Sequence, residues 1–370
     1  MFSIASSSLI VNSSFNFQNS PKSPVHVMSS ASGFKTLTEN LTVRVQRAEN
    51  RELNVPLLSP FTIALSRLDS VGNVAIRVEL SGGCVGWGEA PILPSVTAED
   101  QLMAMVKARE ACEFLRELPE MKLGNVLQEI GGFLPGHQFA SIPIVSPAEA
   151  SSLALKYRKE GFETLKLKVG KNLKADIEVL QAIRAVHPAC SLILDANEGY
   201  KTDEAIEVLE KLHEMKVTPV LFEQPVHRDN WEGLSDVTRI AKNRFGVSVA
   251  ADESCRDLTD LKKIIKGDIV DVVNIKLAKT GVLEALEVIE LARSSGLELM
   301  IGGMVETRLA MGFSGHLVAG IGCFRFIDLD TPLLLADDPV QGGYKVSGAV
   351  YEFTDEGGHG GCLGWDELAL

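Results

Sequence analysis

Residues 164–170 read TLKLKVG, a short stretch in which Lys166 and Lys168 alternate with apolar residues. Successive residues of a β-strand point to opposite faces, so the two lysines share one face and the apolar residues share the other. Burying ammonium groups is costly unless the space that receives them is polar. The stretch therefore predicts a strand that packs against helices on one side and faces a polar, functional interior on the other.

From residue 141 onward, short apolar runs of strand length alternate with amphipathic helical stretches. This alternation predicts parallel strands with intervening helices, and eight strands are the number that closes a barrel. An open doubly wound sheet is the alternative. Such a sheet would be expected to have a glycine-rich phosphate-binding turn after its first strand, and SIPIVSPAEA has none. The eight runs are SIPIV, TLKLKVG, SLILDAN, PVLFEQP, VSVAADES, DVVNIKLAK, LELMIGG and CFRFIDLD.

Residues 41 to about 140 have a different pattern, with strand-like runs followed by the helical stretch AEDQLMAMVKAREACEFLREL. They predict a small α+β unit ahead of the barrel. Residues 1–38 contain no acidic residue and are rich in serine, which is typical of an organelle transit peptide. We therefore expect a plastid location, or a cytoplasmic one if this segment is not a transit peptide.

The overall composition excludes several classes of function. The net charge of −13 argues against a nucleic-acid partner, and no apolar run approaches the ~18 residues that a membrane span requires. Six scattered cysteines without a C-x-x-C pair indicate reduced thiols. Our expectation is a small-molecule substrate, with no nucleic acid or membrane as partner, and a homo-oligomer stays open.

Acidic residues stand at the ends of three consecutive predicted strands. Asp195, Glu223 and Asp252 are separated by 28 and 29 residues, about one strand–helix unit each. Catalytic groups of such barrels lie where the strands end, so the three carboxylates should share one rim. Oxygen ligands are what Mg2+ prefers, which predicts a metal site. The alternative is that each acid caps the helix that follows it.

Lys276 follows Asp252 by 24 residues, on the next predicted strand, and should face Lys168 across the barrel. A metal on a substrate carboxylate stabilises the enediolate that forms when an α-proton departs. Nearby positive charge lowers the pKa of a lysine and allows it to act as the base. One lysine on each side of a planar intermediate predicts 1,1-proton transfer, which is racemisation or epimerisation.

These residues resemble the enolase superfamily in its muconate-lactonizing-enzyme subgroup, with similarity to plant-like L-Ala-D/L-Glu (dipeptide) epimerases. The shared motifs, in order, are KLKVG, LDANEGY, FEQPV, ADES and NIKLAKTG. The resemblance implies that Lys168 and Lys276 are the two bases, that Lys166 contacts the substrate carboxylate, and that one Mg2+ per subunit is bound by the three acids. It also implies a capping domain at 39–140, a (β/α)7β TIM-like barrel at 141–337 and a segment at 338–370 that returns to the cap.

The last predicted strand carries Asp328 and Asp330, which face the same way. This pair resembles the carboxylates that hold the substrate's α-ammonium group in dipeptide epimerases. Two carboxylates would attract such a positively charged group, which is consistent with the resemblance. A second metal site or a helix cap is the alternative for the pair. A cycloisomerase or an o-succinylbenzoate synthase is the alternative for the enzyme. The remaining substrate-binding residues that the resemblance implies are Arg67, Ser141, Gly303, Met304 and Val305.

One feature departs from the family. Its members carry about 30 to 40 residues, including a helix, between the cap helices and the first barrel strand. This chain passes from GGFLPGHQFA directly into SIPIV. The departure suggests a shortened form, such as a splice variant, and leaves open an inactive relative that lacks a packing helix.

Overall fold

An antiparallel sheet and the helices that pack beside it make up the described N-terminal part of the chain. The computed structural model describes residues 36–62, 67–92, 100–133, 146–170, 172–353 and 358–365. The elements of this part are β1 (Thr42–Val43), β2 (Val45–Thr62), β3 (Arg67–Leu80), β4 (Val85–Ala90), α1 (Gln101–Glu117), β5 (Met121–Lys122) and α2 (Leu123–Phe133). Strands β2, β3 and β4 pair in that order, and β1 pairs with β5. Asp100 caps the start of α1, because its side chain accepts a hydrogen bond from the backbone N–H of Met103.

A parallel sheet of seven strands, arranged in sequence order, follows. A helix precedes the first strand and further helices connect the others, which confirms seven of the eight predicted strands. The eighth, at 141–145, lies outside the described residues. In the part of the chain that the structure describes, no helix is long and apolar enough to cross a bilayer. The strands are β6 (Thr164–Lys168), β7 (Ser191–Asp195), β8 (Leu221–Glu223), β9 (Ser248–Ala251), β10 (Val272–Ile275), β11 (Glu298–Ile301) and β12 (Phe326–Ile327). The helices are α3 (Pro147–Lys159), α4 (Leu173–Val186), α5 (Thr202–Glu214), α6 (Trp231–Ile240), α7 (Leu258–Gly267), α8 (Leu277–Ser294) and α9 (Arg308–Ile321).

The parallel sheet curves until its two edge strands face each other. One apolar side chain from each of β7 to β12 enters a single buried cluster inside the curve. Strand β6 contributes Lys166 at this level, directly opposite Ile193 of β7. The Lys166 Nζ atom lies 2.8 Å from the carboxylate of Asp328, which follows β12. The first and last described strands of the sheet therefore meet across the interior, as the predicted barrel requires. The cluster consists of Ile193, Leu221, Ala250, Val272, Met300 and Phe326.

The C-terminal residues pack on the N-terminal sheet. The Trp365 indole N–H donates a hydrogen bond of 2.9 Å to Glu49, and the guanidinium of Arg51 lies 4.3 Å from the centre of its ring. Trp87 of β4 meets the same ring edge-on at 5.0 Å. These contacts bury the Trp365 side chain against strands β2 and β4 of the N-terminal sheet. The last strands are β13 (Val340–Gly342), β14 (Tyr344–Ser347), β15 (Val350–Phe353) and β16 (Gly361–Leu363).

Candidate active site

The register of the parallel strands places three charged side chains next to one another. Lys168 pairs with Asp195, and Asp195 pairs with Glu223, each at the last position of its strand. Paired residues in a sheet point to the same face, so all three enter the barrel at the carboxyl ends of the strands. The Lys168 ammonium donates a short hydrogen bond to Asp195. The register of the paired strands, and not the conformation of a loop, therefore places these three side chains at the predicted rim.

Asp252 and Lys276 extend this rim along the next two strands. Each follows the end of its strand, β9 or β10, by one residue. The Nζ atom of Lys276 lies 2.6 Å from Asp252 Oδ2. Lys279 approaches the other oxygen of the same carboxylate at 2.9 Å and also donates to three backbone carbonyls. Asp252 is thus held between two ammonium groups.

Lys166 lies at the centre of the site, one layer deeper than Lys168. Its ammonium is 3.0 Å from Asp195, 2.8 Å from Glu223 and 2.8 Å from Asp328. Its side chain is 2% exposed, so these carboxylates replace the water that the ammonium would otherwise bind. Burial by itself would lower the pKa of Lys166, but the surrounding carboxylates raise it well above its usual value. Lys166 therefore stays charged.

The other two lysines differ in their electrostatic surroundings. Burial lowers the pKa of Lys168, and the neighbouring Lys166 charge adds to this effect, although Asp195 opposes it. Burial also disfavours the charged form of Lys276, but Asp252 outweighs it and raises the pKa. Lys168 is consequently the lysine that is better prepared to be neutral, and Lys276 the one better prepared to carry a proton.

Acidic side chains outnumber lysines at the rim. Burial raises the pKa of Glu223 to about 7, and the neighbouring charge of Asp195 contributes to the rise. Within the described residues, six buried acids stand against four buried lysines at this rim. The acids are Asp195, Glu223, Asp252, Glu253, Asp328 and Asp330, and the lysines are Lys166, Lys168, Lys276 and Lys279.

The donor chemistry of the rim fits a hard divalent cation. Three strand-end carboxylates offer oxygen ligands, and such an ion would relieve the repulsion among them that contributes to the raised pKa of Glu223. Among the described residues, no group of three or more acidic, histidine or cysteine side chains is arranged to hold a metal ion as it stands. Lys166 lies between Asp195 and Glu223 instead. Binding of an ion would therefore require these side chains to shift.

Several polar residues that the sequence did not single out hold the rim in place. Asn274 donates a hydrogen bond of 2.8 Å to Glu223. The side-chain oxygen of Gln224 accepts from the backbone N–H groups of Asp252 and Ser254. Gln224 has a left-handed backbone with φ of 34°, which bends the chain directly after the Glu223 carboxylate. Asn274 and Lys276 lie two residues apart, so the strand period could have indicated Asn274.

The predicted substrate-lining turn is tied to the N-terminal sheet. Asn73 of β3 donates a hydrogen bond of 3.0 Å to the carbonyl of Val305. Glu89 of β4 accepts from the backbone N–H and the hydroxyl of Thr307. Met304 is 1% exposed and contacts the N-terminal part of α8. These bonds fix the position of the turn above the barrel.

Two other predicted substrate residues fall at or beyond the limits of the described chain. Ser141 lies outside the described residues. Arg67 is the first residue of β3, and its backbone pairs with Thr62. Gly303 lies in the turn after β11, against Met311 and Glu306. Asp328 and Asp330 are both buried after β12, and Asp328 contacts Lys166.

The fold and the site together define a barrel enzyme of the enolase type. Residues 149–366 match the family described as Enolase C-terminal domain-like, and the chain belongs to this family. The resemblance predicted from the motifs is therefore confirmed, as is the α/β barrel class.

Known relatives and solved structures agree with this assignment. The chain is 66% identical to an "L-Ala-D/L-amino acid epimerase" of Populus trichocarpa, over 90% of this chain and 88% of the relative. It is 34% identical to an "Aromatic dipeptide epimerase" of Herpetosiphon aurantiacus, over 85% of this chain and 98% of the relative. The solved dipeptide epimerase of Enterococcus faecalis V583, complexed with Mg and L-Leu-L-Tyr, superposes with a TM-score of 0.76 at 28% identity. That match covers 87% of this chain and 99% of the other.

Glu306 provides a test of the electrostatics of the turn. It is 4% exposed, accepts a hydrogen bond from the Met304 backbone and borders a cavity of about 280 Å3 between β4, α8 and α9. Burial, together with Glu89, raises its pKa to about 8. Between about pH 4.5 and about pH 8, Glu306 is therefore protonated in the folded protein and ionised in the unfolded chain. Because the unfolded state binds fewer protons in this range, the free energy of unfolding falls as the pH rises towards 8.

We expect Glu306→Gln to reduce this pH dependence. Between about pH 5.5 and about pH 8, the variant should lose about 3 kcal/mol less unfolding free energy than the unaltered protein. Urea unfolding at the two pH values measures the difference. Glu110→Gln on the exposed surface of α1 is the control and should behave like the unaltered protein. Parallel pH dependence in all three proteins would contradict the expectation.

Proposed function

We propose that this protein is a Mg2+-dependent epimerase of dipeptides, acting at the α-carbon of the C-terminal residue by two-base 1,1-proton transfer. The observation that carries the proposal is the position of Lys168 and Lys276. They lie at the ends of β6 and just past β10, with the acids of the three intervening strands between them. The names of the Populus and Herpetosiphon relatives, both epimerases, support the same reaction.

The two lysines would exchange roles according to the epimer that is bound. The base that removes the α-proton must be neutral, and the opposite lysine must carry the proton that is returned. The lowered pKa of Lys168 and the raised pKa of Lys276 favour the direction of the reaction in which Lys168 removes the proton and Lys276 returns one. Since proton transfer inverts the two charges, the reverse reaction starts from the opposite protonation state. Lys166, which stays charged, would bind the substrate carboxylate.

Asp195, Glu223 and Asp252 would hold the Mg2+ ion. When bound, the ion supplies positive charge that stabilises the negative charge developing on the substrate carboxylate. The surplus of acids over lysines at the rim supports this role, as does the raised pKa of Glu223. The solved Enterococcus relative is complexed with Mg. One ion per subunit is our expectation for this chain.

The substrate class rests on Asp328 and Asp330. Two buried carboxylates beyond β12 would favour a substrate with a cationic amino end, which a dipeptide has. Asp328 also balances the charge of Lys166, so we assign the larger share of ammonium binding to Asp330. The turn at Gly303, Met304 and Val305, together with Ser141 and Arg67, would line the rest of the substrate.

The alternative functions have less support from these residues. A cycloisomerase or an o-succinylbenzoate synthase would have no use for an ammonium clamp. An inactive relative would not be expected to retain five metal and base residues, all buried at one rim.

We also propose the division into a cap at 39–140, a barrel at 141–337 and a returning segment at 338–370, which the contacts of Trp365 support. The plant origin of the Populus relative supports plastid import through residues 1–38, which an import assay with and without that segment would test.

Replacing the lysines one at a time tests the two-base mechanism. Both Lys168→Ala and Lys276→Ala should lose epimerisation by at least about 1000-fold, because one side of the intermediate then lacks its base. Each variant should still exchange the α-proton of one epimer with solvent, and the two variants should retain opposite epimers. NMR in deuterated water measures the exchange. If one variant exchanged both epimers, or both variants preferred the same epimer, the two-base assignment would be wrong.

Removal of the metal tests the role of the carboxylates. Chelation should abolish activity, and added Mg2+ should restore it. Glu223→Gln should raise the Mg2+ concentration that is needed for half-maximal activity by at least about 10-fold, because one anionic ligand is lost. Asp236→Asn, a change on the exposed face of α6, serves as the control. Full activity after exhaustive chelation would rule out the metal.

Substrates with and without a free amino end test the ammonium clamp. We expect Asp330→Asn to raise KM for a free dipeptide by about 10- to 100-fold, while leaving KM for its N-acetylated form nearly unchanged. Steady-state kinetics with both substrates gives the comparison. An equal loss on both substrates would show that Asp330 supports the fold of the site and does not recognise the amino group.

A further inference from the structure

Strands β14 and β15 form an antiparallel hairpin with an aromatic face. The register pairs Tyr344 with Phe353 and Val346 with Tyr351, so these four side chains lie on the same face of the hairpin. The rings of Tyr344 and Tyr351 stack with their centres 5.0 Å apart. We call residues 344–353 the C-terminal hairpin. Its aromatic face is the side that packs against the barrel.

Two helices of the barrel hold the C-terminal hairpin in place. A Cβ atom at Gly315 of α9 would overlap the ring of Phe353, so this glycine allows the hairpin to lie directly on the helix. At the turn of the hairpin, the backbone N–H of Ala349 donates a hydrogen bond of 3.0 Å to the carbonyl of Glu160, which follows α3. The hairpin is therefore fixed at both of its ends, and a group that it presents has a defined position.

The Tyr351 hydroxyl connects the hairpin to the segment after β12. It donates a hydrogen bond of 3.2 Å to the backbone carbonyl of Leu329, which is buried between Asp328 and Asp330. That carbonyl belongs to the planar peptide that joins Leu329 to Asp330, so the bond restrains the backbone from which the Asp330 side chain departs. Burial raises the pKa of Tyr351, and the nearby aspartates add to the rise. The hydroxyl therefore stays protonated and able to donate.

We infer that Tyr351 is a positioning residue for the Asp328 and Asp330 pair, through which the C-terminal hairpin determines how tightly the amino end of a substrate is bound. This inference rests on the proposed function, in which the two aspartates recognise that amino end. A group that binds a ligand has to be held within about 0.5 Å of its productive position by contacts that lie behind it. The bond from Tyr351 is such a contact, because it acts on the backbone of the pair and not on the substrate.

Two substitutions that each remove one hydroxyl test this role. Tyr351→Phe should weaken binding of a free L-Ala-containing dipeptide by about 3- to 10-fold and binding of its N-acetylated form by less than about 2-fold. Tyr344→Phe is the matched control. The Tyr344 hydroxyl is also buried, and it has no hydrogen-bond partner among the described residues, so its loss should leave both affinities unchanged. Titration calorimetry in the presence of Mg2+ measures the affinities of all three proteins.

The unaltered protein separates this inference from the proposed function. If it bound neither form, or both forms equally, the ammonium clamp and the role of Tyr351 would both be wrong. If it preferred the free dipeptide and Tyr351→Phe kept that preference in full, the inference alone would fail. It would also fail if Tyr344→Phe reduced the preference as much as Tyr351→Phe, because packing of the hairpin would then be the cause. These affinities do not depend on turnover, so an absence of epimerisation would not obscure them.

Discussion

The buried ammonium of Lys166 is the interaction on which the rest of the site depends. It lies within 3.0 Å of carboxylates from β7, β8 and the end of β12. An unpaired charge at this depth would be prohibitive, so the lysine and the acids can be buried only together. The same contacts join the first and last strands of the described sheet. The burial of these charged groups and the meeting of the two edge strands are therefore parts of one arrangement.

This arrangement explains why the other lysines differ. Because Lys166 remains charged, it disfavours a proton on Lys168, whereas Asp252 favours one on Lys276. The polar residues behind the rim, such as Asn274 and Gln224, orient the carboxylates without adding charge. A site with more acids than bases at one end of a barrel is then suited to bind a cation and an anionic substrate together. The proposed epimerisation uses both properties.

The sequence predicted the parts of this structure that follow from periodicity. The alternation in TLKLKVG required both lysines to share one face, and the spacing of Asp195, Glu223 and Asp252 placed one acid on each of three adjacent strands. The pairing of Lys166 with Asp328 could not be predicted, because it depends on how far the sheet curves. The role of Glu306 was missed for a similar reason, since its surroundings come from β4, which is more than 200 residues away in sequence.

The fate of the α-proton in the unaltered protein shows whether two bases act on opposite sides of the substrate. An L-Ala-containing dipeptide is incubated with the protein and Mg2+ in deuterated water, and both epimers are observed by NMR from the earliest times. With a base on each side of the intermediate, the newly formed epimer should carry deuterium at the α-carbon while the remaining substrate still carries hydrogen. Early product that retains the substrate's own hydrogen, or deuterium that enters both epimers equally, would show that Lys168 and Lys276 do not act as two opposed bases.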